Sequence, residues 1–256
     1  MKRFDITRFG HTLRWSLTMD RGWFLRTTLS WTVMLTLMFL LFTCFTFIVK
    51  DDGHTGYEVS TVLFVATVVA ILLLGPSFMF VSMTNRHADQ TLLMLPASNL
   101  EKYLARYSYW LLSLPCLAVA FLTADLLQFV VNTLTGNDNA TLVMSIIVEV
   151  WGRIPDDVPR EEGLTSLLFA LWLHSFYALG ATFFRAHKYN YVLTSVVLVL
   201  VLMLTGIMQG KIVIDELLYH HRCYCNWTLL GLSVFNFWLS YRLFRRTQVI
   251  GKFINI

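Results

Sequence analysis

Six long apolar runs decide what this chain can fold into. They cover roughly Thr28 to Val49, Val59 to Met83, Arg106 to Val131, Leu164 to Phe184, Tyr191 to Met208 and Trp227 to Phe244. A helix needs about 20 apolar residues to cross hydrocarbon. All six runs are too long and too continuous for core strands. The rest of the composition agrees: 56% of the 256 residues are hydrophobic, 14% are charged, and mean hydropathy is +0.60. Soluble domains carry about 25% charged residues, and a chain of this length could not hide so much apolar side chain from water. A soluble enzyme, a disordered chain and a nucleic-acid-binding protein are therefore excluded. Four cysteines are too few for a disulfide framework. About 25 residues with repeated arginine precede the first run, and no small-residue cleavage site follows it, unlike a cleavable signal peptide.

Charge placement sets an expected topology. Of the 20 Lys and Arg residues, three quarters fall on one side of the six runs, around Arg8, Arg86, Arg185 and Arg245. The other side holds Lys50, Arg153, Arg160, Lys211 and Arg222, together with Asp51, Glu58, Asp138, Asp156 and Glu161. The positive-inside rule then puts both termini in the cytoplasm, as an even span count also requires, with Asn139 and Asp156 facing outward.

Before the first run, Ile6, Phe9, Leu13, Leu17 and Phe24 lie on one helical face. Arg3, Arg8, Arg14 and Arg21 lie away from it, and Trp15 and Trp23 suit the headgroup level. Residues 1–27 are thus expected to form an amphipathic helix in the inner interface. The competing reading is a charged flank that only sets topology.

The inner loop at 84–105 is the most informative segment. Pro96 interrupts it, and Ser98 with Glu101 makes a capping box, so a helix should start near Asn99 and run into the third span. Asn85 to Leu95 can form a short helix with Arg86, Asp89 and Gln90 on one side and Leu92, Leu93 and Leu95 on the other. A short helix, a break and a capped helix make a protruding cytoplasmic elbow; the competing reading is a mere connector between the second and third spans.

In layout the chain resembles the membrane subunits of ABC-2 type (type V fold) transporters. Leu95-Pro-Ala-Ser-Asn-Leu-Glu-Lys-Tyr-Leu-Ala-Arg106 is similar to a segment recurring in small stand-alone bacterial permeases of this class, and Leu13-Arg-Trp-Ser-Leu17 to their interfacial helix. The resemblance implies that the elbow is a coupling helix docking on a separate ABC ATPase, which carries the ATP and Mg. It further implies that two permeases pair around a two-fold axis. On that reading Leu92 and Leu93 are the apolar anchors, with Arg86, Asp89 and Gln90 at the rim. One departure is clear: the family places re-entrant helices between spans five and six, where Gln209 to Asn226 here is short and polar. The long outer loop is instead 132–163. Its apolar stretch Leu142 to Trp151 is too short to span, and suits a membrane-surface helix or an outer cap.

Chemistry is sparse. Gly206-Ile-Met-Gln-Gly-Lys-Ile is not a Walker A motif, so the chain is not expected to hydrolyse ATP itself. His220, His221, Cys223 and Cys225 form the one cluster of soft ligands, readable as a thiophilic metal site, an intermolecular disulfide or an ordinary loop. His174 sits near the middle of the fourth span, as a helix–helix hydrogen-bonding group or a translocation-path residue. Asp125 falls near the outer end of the third span, Thr36, Thr43 and Thr46 are expected to bond their own helix, and Gly75-Pro76 marks a kink.

The expectation is an all-α integral membrane protein of the bacterial inner membrane: residues 1–27 interfacial, 28–256 a six-span domain. It would be the permease of an ATP-driven exporter of amphiphilic, lipid-like or peptide cargo, working as a homodimer in the lipid bilayer. An ATP-independent secondary transporter or channel, or an integral membrane enzyme, are the alternatives.

Overall fold

The structure is a computed structural model that describes residues 4–19, 21–49, 55–83, 86–136, 140–152, 160–185, 189–208 and 222–246. The described residues form helices, turns and short irregular links, with no strand among them. Four stretches among them are long and apolar enough to cross a membrane: Arg21–Cys44, Gly56–Phe80, Asn99–Leu134 and Gly163–Phe183. These are the helices of an integral membrane protein. The chain divides into two compact units, Met19–Ile71 with Leu111–Asp157, and Met1–Thr18 with Leu72–Trp110 and Val158–Ile256.

The first of these units contains α2 (Arg21–Val49), most of α3 (Thr55–Leu74), α6 (Ser113–Leu134) and α7 (Val143–Gly152). The first apolar helix therefore starts at Arg21, seven residues before the expected Thr28, because Trp23, Phe24 and Leu25 continue its helical sequence. Its core gathers Leu35, Phe39, Tyr57, Leu117 and Phe121, with the Phe64 ring stacked on Phe121 at 3.9 Å. The polarity of α6 is inverted relative to a soluble helix. Val119, Leu122, Leu126 and Leu134 point outward, whereas Asp125, Gln128 and Asn132 are buried. That pattern suits a helix whose outer surroundings are hydrocarbon, where polar groups must find partners inside.

They do find them. Asn132 Nδ2 donates to Gln128 Oε1 (2.8 Å) and to Thr43 Oγ1 (2.9 Å), and Gln128 Nε2 donates to Asp125 Oδ1 (3.0 Å). The Asp125 carboxylate also accepts the amides of Val143 (2.8 Å) and Met144 (3.0 Å), which open α7. A carboxylate at two orphan amides of a helix N-terminus is favourable in charge and hydrogen bonding alike. Asp125 is thus the clasp of α7, a role its position in the third run did not reveal. Exchanging one carboxylate oxygen for an amide turns an N–H toward a donor. Asp125→Asn is accordingly expected to cost about 2 kcal/mol and to expose the 143–152 segment to protease, read by limited proteolysis in detergent. Thr43 bonds its own helix through Phe39 O (2.7 Å) as expected, but buried Thr36 Oγ1 has no partner among the described residues; the Thr46 side chain lies outside them.

The other unit contains α1 (Ile6–Met19), the last turn of α3, a 3-10 segment (Gly75–Met83), α4 (Arg86–Met94), α5 (Asn99–Leu111), α8 (Arg160–Phe183), α9 (Asn190–Met208) and α10 (Arg222–Arg246). Met79, Phe80, Leu92, Tyr103, Ala181 and Phe244 make its core. α8 and α10 are joined by small polar groups: Asn236 Nδ2 donates to Ser175 Oγ (3.1 Å), and Ser240 Oγ to Ala178 O (3.0 Å). Buried Ser233, Asn236 and Ser240 lie on one stripe of α10, which is why this 25-residue helix is not apolar enough by composition to count among the four. Of α9, the stretch Asn190–Leu204 is apolar but short. α8 and α9 approach closely at Gly180, where a Cβ would collide with Thr194. Asn139 and Asp156 lie outside the described residues.

Candidate functional site

The elbow is built where three helix ends meet. α4 ends at Met94, Pro96 prevents continuation, and α5 begins at Asn99. Ser98 N donates to Glu101 Oε2 (2.7 Å) and Glu101 N to Ser98 Oγ (3.3 Å), the reciprocal pair of a capping box. The other oxygen of Glu101 reaches a second helix start: Oε1 accepts the Asp5 amide (2.8 Å) at the head of α1, and Arg8 Nη2 (3.3 Å). Its neighbour Lys102 runs the opposite way and donates from Nζ to Leu93 O (2.7 Å), in the last turn of α4. A carboxylate thus sits at two helix N-termini and an ammonium at a C-terminus, each sign matching the local dipole. Glu101 is 0% exposed and Lys102 is also buried, whereas Arg8 keeps about a third of its side chain exposed (32%).

One turn later, Arg106 is buried and donates to Ser16 Oγ (2.6 Å). The edge of α1 that meets α5 therefore carries Asp5, Arg8, Thr12 and Ser16, of which Thr12 and Ser16 are buried. The helix was legible as amphipathic, but its polar edge is the packed one, because α5 offers it charged partners. Phe4 and Ile6 remain exposed. At its head Asp5 Oδ1 accepts the Thr7 amide (2.8 Å), and this amide holds the Asp5 carboxyl below the usual carboxylate range.

The expected docking anchors separate. Leu92 is 0% exposed and packs with Met79, Phe80, Tyr103, Ala181 and Phe244, so it anchors the elbow to its own chain and offers nothing to a partner. Leu93 and Leu95 are half-buried. Met94 stands 84% exposed, and Gln90 and Leu100 are exposed nearby in sequence. Two residues past Leu92 on a helix points to the opposite side, so an inward Leu92 turns Met94 outward. Arg86 and Asp89 lie in α4, but their side chains are outside the described residues.

His174 lies at a helix break. Leu72 O would accept the amide of the residue four further on, but that residue is Pro76, which has none. His174 Nδ1 lies 2.6 Å from this carbonyl, and Nε2 lies 2.6 Å from Tyr107 Oη. A carbonyl only accepts, so Nδ1 carries the hydrogen; in the neutral ring Nε2 then accepts from Tyr107. Trp110 packs against the imidazole at 5.0 Å, and Phe237 at 6.3 Å. A Cβ on Gly75 would lie 2.6 Å from Trp110 Cε3, so the glycine admits the indole against the kink. Both ring nitrogens of His174 are committed inside the protein. His174→Leu leaves a carbonyl orphaned at mid-helix, and is expected to cost about 2 kcal/mol, measured as a lower midpoint of thermal unfolding in detergent. His174→Asn, which keeps a donor, should recover part of it.

His220 and His221 lie outside the described residues. Cys223 lies in the first turn of α10 with its side chain outside them, and Cys225 is a free, half-buried thiol. Among the described residues no group of three His, Cys, Asp or Glu could hold a metal ion. Comparison with protein-family models, curated proteins and solved structures found no match.

Proposed function

We propose that this chain is the permease subunit of an ABC-2 type exporter, driven by a separate ATPase. The observation that carries the reading is the elbow: a short helix with an exposed apolar tip, tied by buried Glu101, Lys102 and Leu92 to α1, α5 and the core of its unit. Such a piece transmits a push instead of absorbing it, since its ends are fixed by opposing charges and its flank by packing. On this reading α9 and α10 complete six spans with both termini cytoplasmic, and α1 lies in the inner interface. The ATPase holds ATP and Mg; its closure moves the elbow, and α5 carries the displacement toward the membrane. Two copies of the chain, each with one ATPase, form the working unit. Cargo of amphiphilic, lipid-like or peptide character suits a chain whose described spans hold few charged groups.

Met94, Gln90 and Leu100 replace Leu92 as the docking face, with Leu93 at its edge. Arg86 and Asp89 remain proposed rim contacts, and Ser98 with Glu101 the cap. The test is affinity capture of the full chain from mild detergent in its native host, with an ABC ATPase expected in the eluate. A secondary transporter would need an ionisable relay in mid-span. His174 has both nitrogens occupied, which favours the ATP-driven reading.

A further inference from the structure

The exposed face of α10 changes character along its length. Trp227, Val234, Phe235 and Trp238 form an exposed apolar stripe, and the same face continues into Arg242, Arg245 and Arg246, all exposed. We propose that this end of α10 binds the headgroups of anionic phospholipids. The inference rests on α10 crossing the bilayer and not on ATPase docking.

Three observations point to that ligand. First, no acidic residue occurs anywhere in Arg222–Arg246, and among the described residues none of the three guanidinium groups has an ion pair with protein. The negative C-terminal end of the helix offsets only about half a charge, so roughly +2.5 remains. Second, the interval from Arg222 to Arg242 rises about 30 Å, the thickness of a hydrocarbon core, and holds no charged residue. Arg242 therefore falls at the level where hydrocarbon gives way to phosphate, with Arg245 and Arg246 one turn further out. Third, Arg242 Cζ lies 5.1 Å from the Trp238 ring, and Trp238 is itself 50% exposed. An indole at the interface is at home in a lipid belt. Stacked on it, the guanidinium keeps its N–H edge free for a phosphate, which it fits in fork geometry. A soluble polyanion would satisfy the arginines but leave Trp238 and Phe235 bare, whereas an anionic lipid covers both with one molecule.

The test reads which lipid sits beside Trp238. The full chain is reconstituted in phosphatidylcholine vesicles containing either brominated phosphatidylcholine or brominated phosphatidylglycerol. Quenching of Trp238 is taken as the difference between wild type and Trp238→Phe. The expected result is a preference for phosphatidylglycerol of about fivefold or more, the worth of a single arginine at a charged surface. It should fall to parity in R242Q/R245Q/R246Q, to an intermediate value in R245Q/R246Q, and persist in R245K/R246K. At about 1 M salt, where the screening length is about 3 Å, it should weaken. Millimolar inorganic phosphate should leave it unchanged; loss of the preference there would make this a free-anion site and overturn the lipid assignment. Equal quenching by both lipids in wild type, no quenching of Trp238 by either, or an unchanged preference in R242Q/R245Q/R246Q would also overturn it. None of these readouts depends on an ATPase.

Discussion

Leu92→Asp is expected to prevent the elbow from folding, whereas Met94→Asp, two residues away, should leave it intact. Leu92 is 0% exposed, in the core it shares with Met79, Phe80, Tyr103, Ala181 and Phe244. Its replacement removes a buried aliphatic side chain and inserts a carboxylate with no partner, two mechanisms that together cost about 4 kcal/mol or more. The readout is a collapse of monodisperse protein after extraction and rapid protease cleavage between residues 84 and 99. Met94 is 84% exposed, so its change to Asp should alter the unfolding midpoint by no more than an ordinary surface substitution, within about 0.5 kcal/mol. If both variants were equally stable, the inward packing of Leu92 would be wrong.

Glu101→Ala should have the second largest effect. The carboxylate accepts the Ser98 amide, the Asp5 amide and Arg8 Nη2, so its loss removes the Glu101 half of the α5 cap and the acceptor it supplies to the head of α1 at once. Each cap is worth about 1 kcal/mol, and the loss of a hydrogen bond to a charged group adds about 1.5 kcal/mol or more. The sum is about 3.5 kcal/mol. Arg8 is one third exposed and can return to water, which keeps the figure from going higher. Glu101→Gln keeps one carbonyl acceptor and should lose about half as much. A specific signature accompanies the loss of stability: α1 should become protease-sensitive near residues 4–19 in Glu101→Ala while α8 and α10 remain protected. Uniform loss of protection would mean that Glu101 holds the whole unit rather than the joint between α1 and α5.

These contacts explain what could be read in advance. The capping box was legible because its partners are three residues apart and its geometry is local. The apolar character of Leu92, Leu93 and Leu95 was legible too, but not which of them faces the chain's own core. That depends on Phe80, Tyr103, Ala181 and Phe244, which come from four other segments. Likewise the spacing of Ile6, Phe9, Leu13 and Leu17 marks a helix, yet the packed edge is set by Glu101 and Arg106, 90 or more residues away. Asp125 looked like an end-of-span residue because the amides it holds belong to a helix beyond a turn. For His174, half the answer was available: Pro76 four residues after Leu72 leaves a carbonyl without its amide. Nothing local identified the ring that takes it.

Whether the elbow docks an ATPase is decided by one paired capture experiment. Tagged wild type and Met94→Asp are purified in parallel from native membranes in mild detergent, and the ATPase in each eluate is quantified against the tagged chain. Wild type should retain an ABC ATPase at near one copy per chain. With Met94→Asp the bound ATPase should fall about 30-fold in apparent affinity, as for the loss of an interface anchor worth about 2 kcal/mol, at unchanged yield of the tagged chain. ATPase bound equally to both would remove Met94 from the docking face, and no ATPase with wild type would overturn the proposed coupling of this chain to an ATPase.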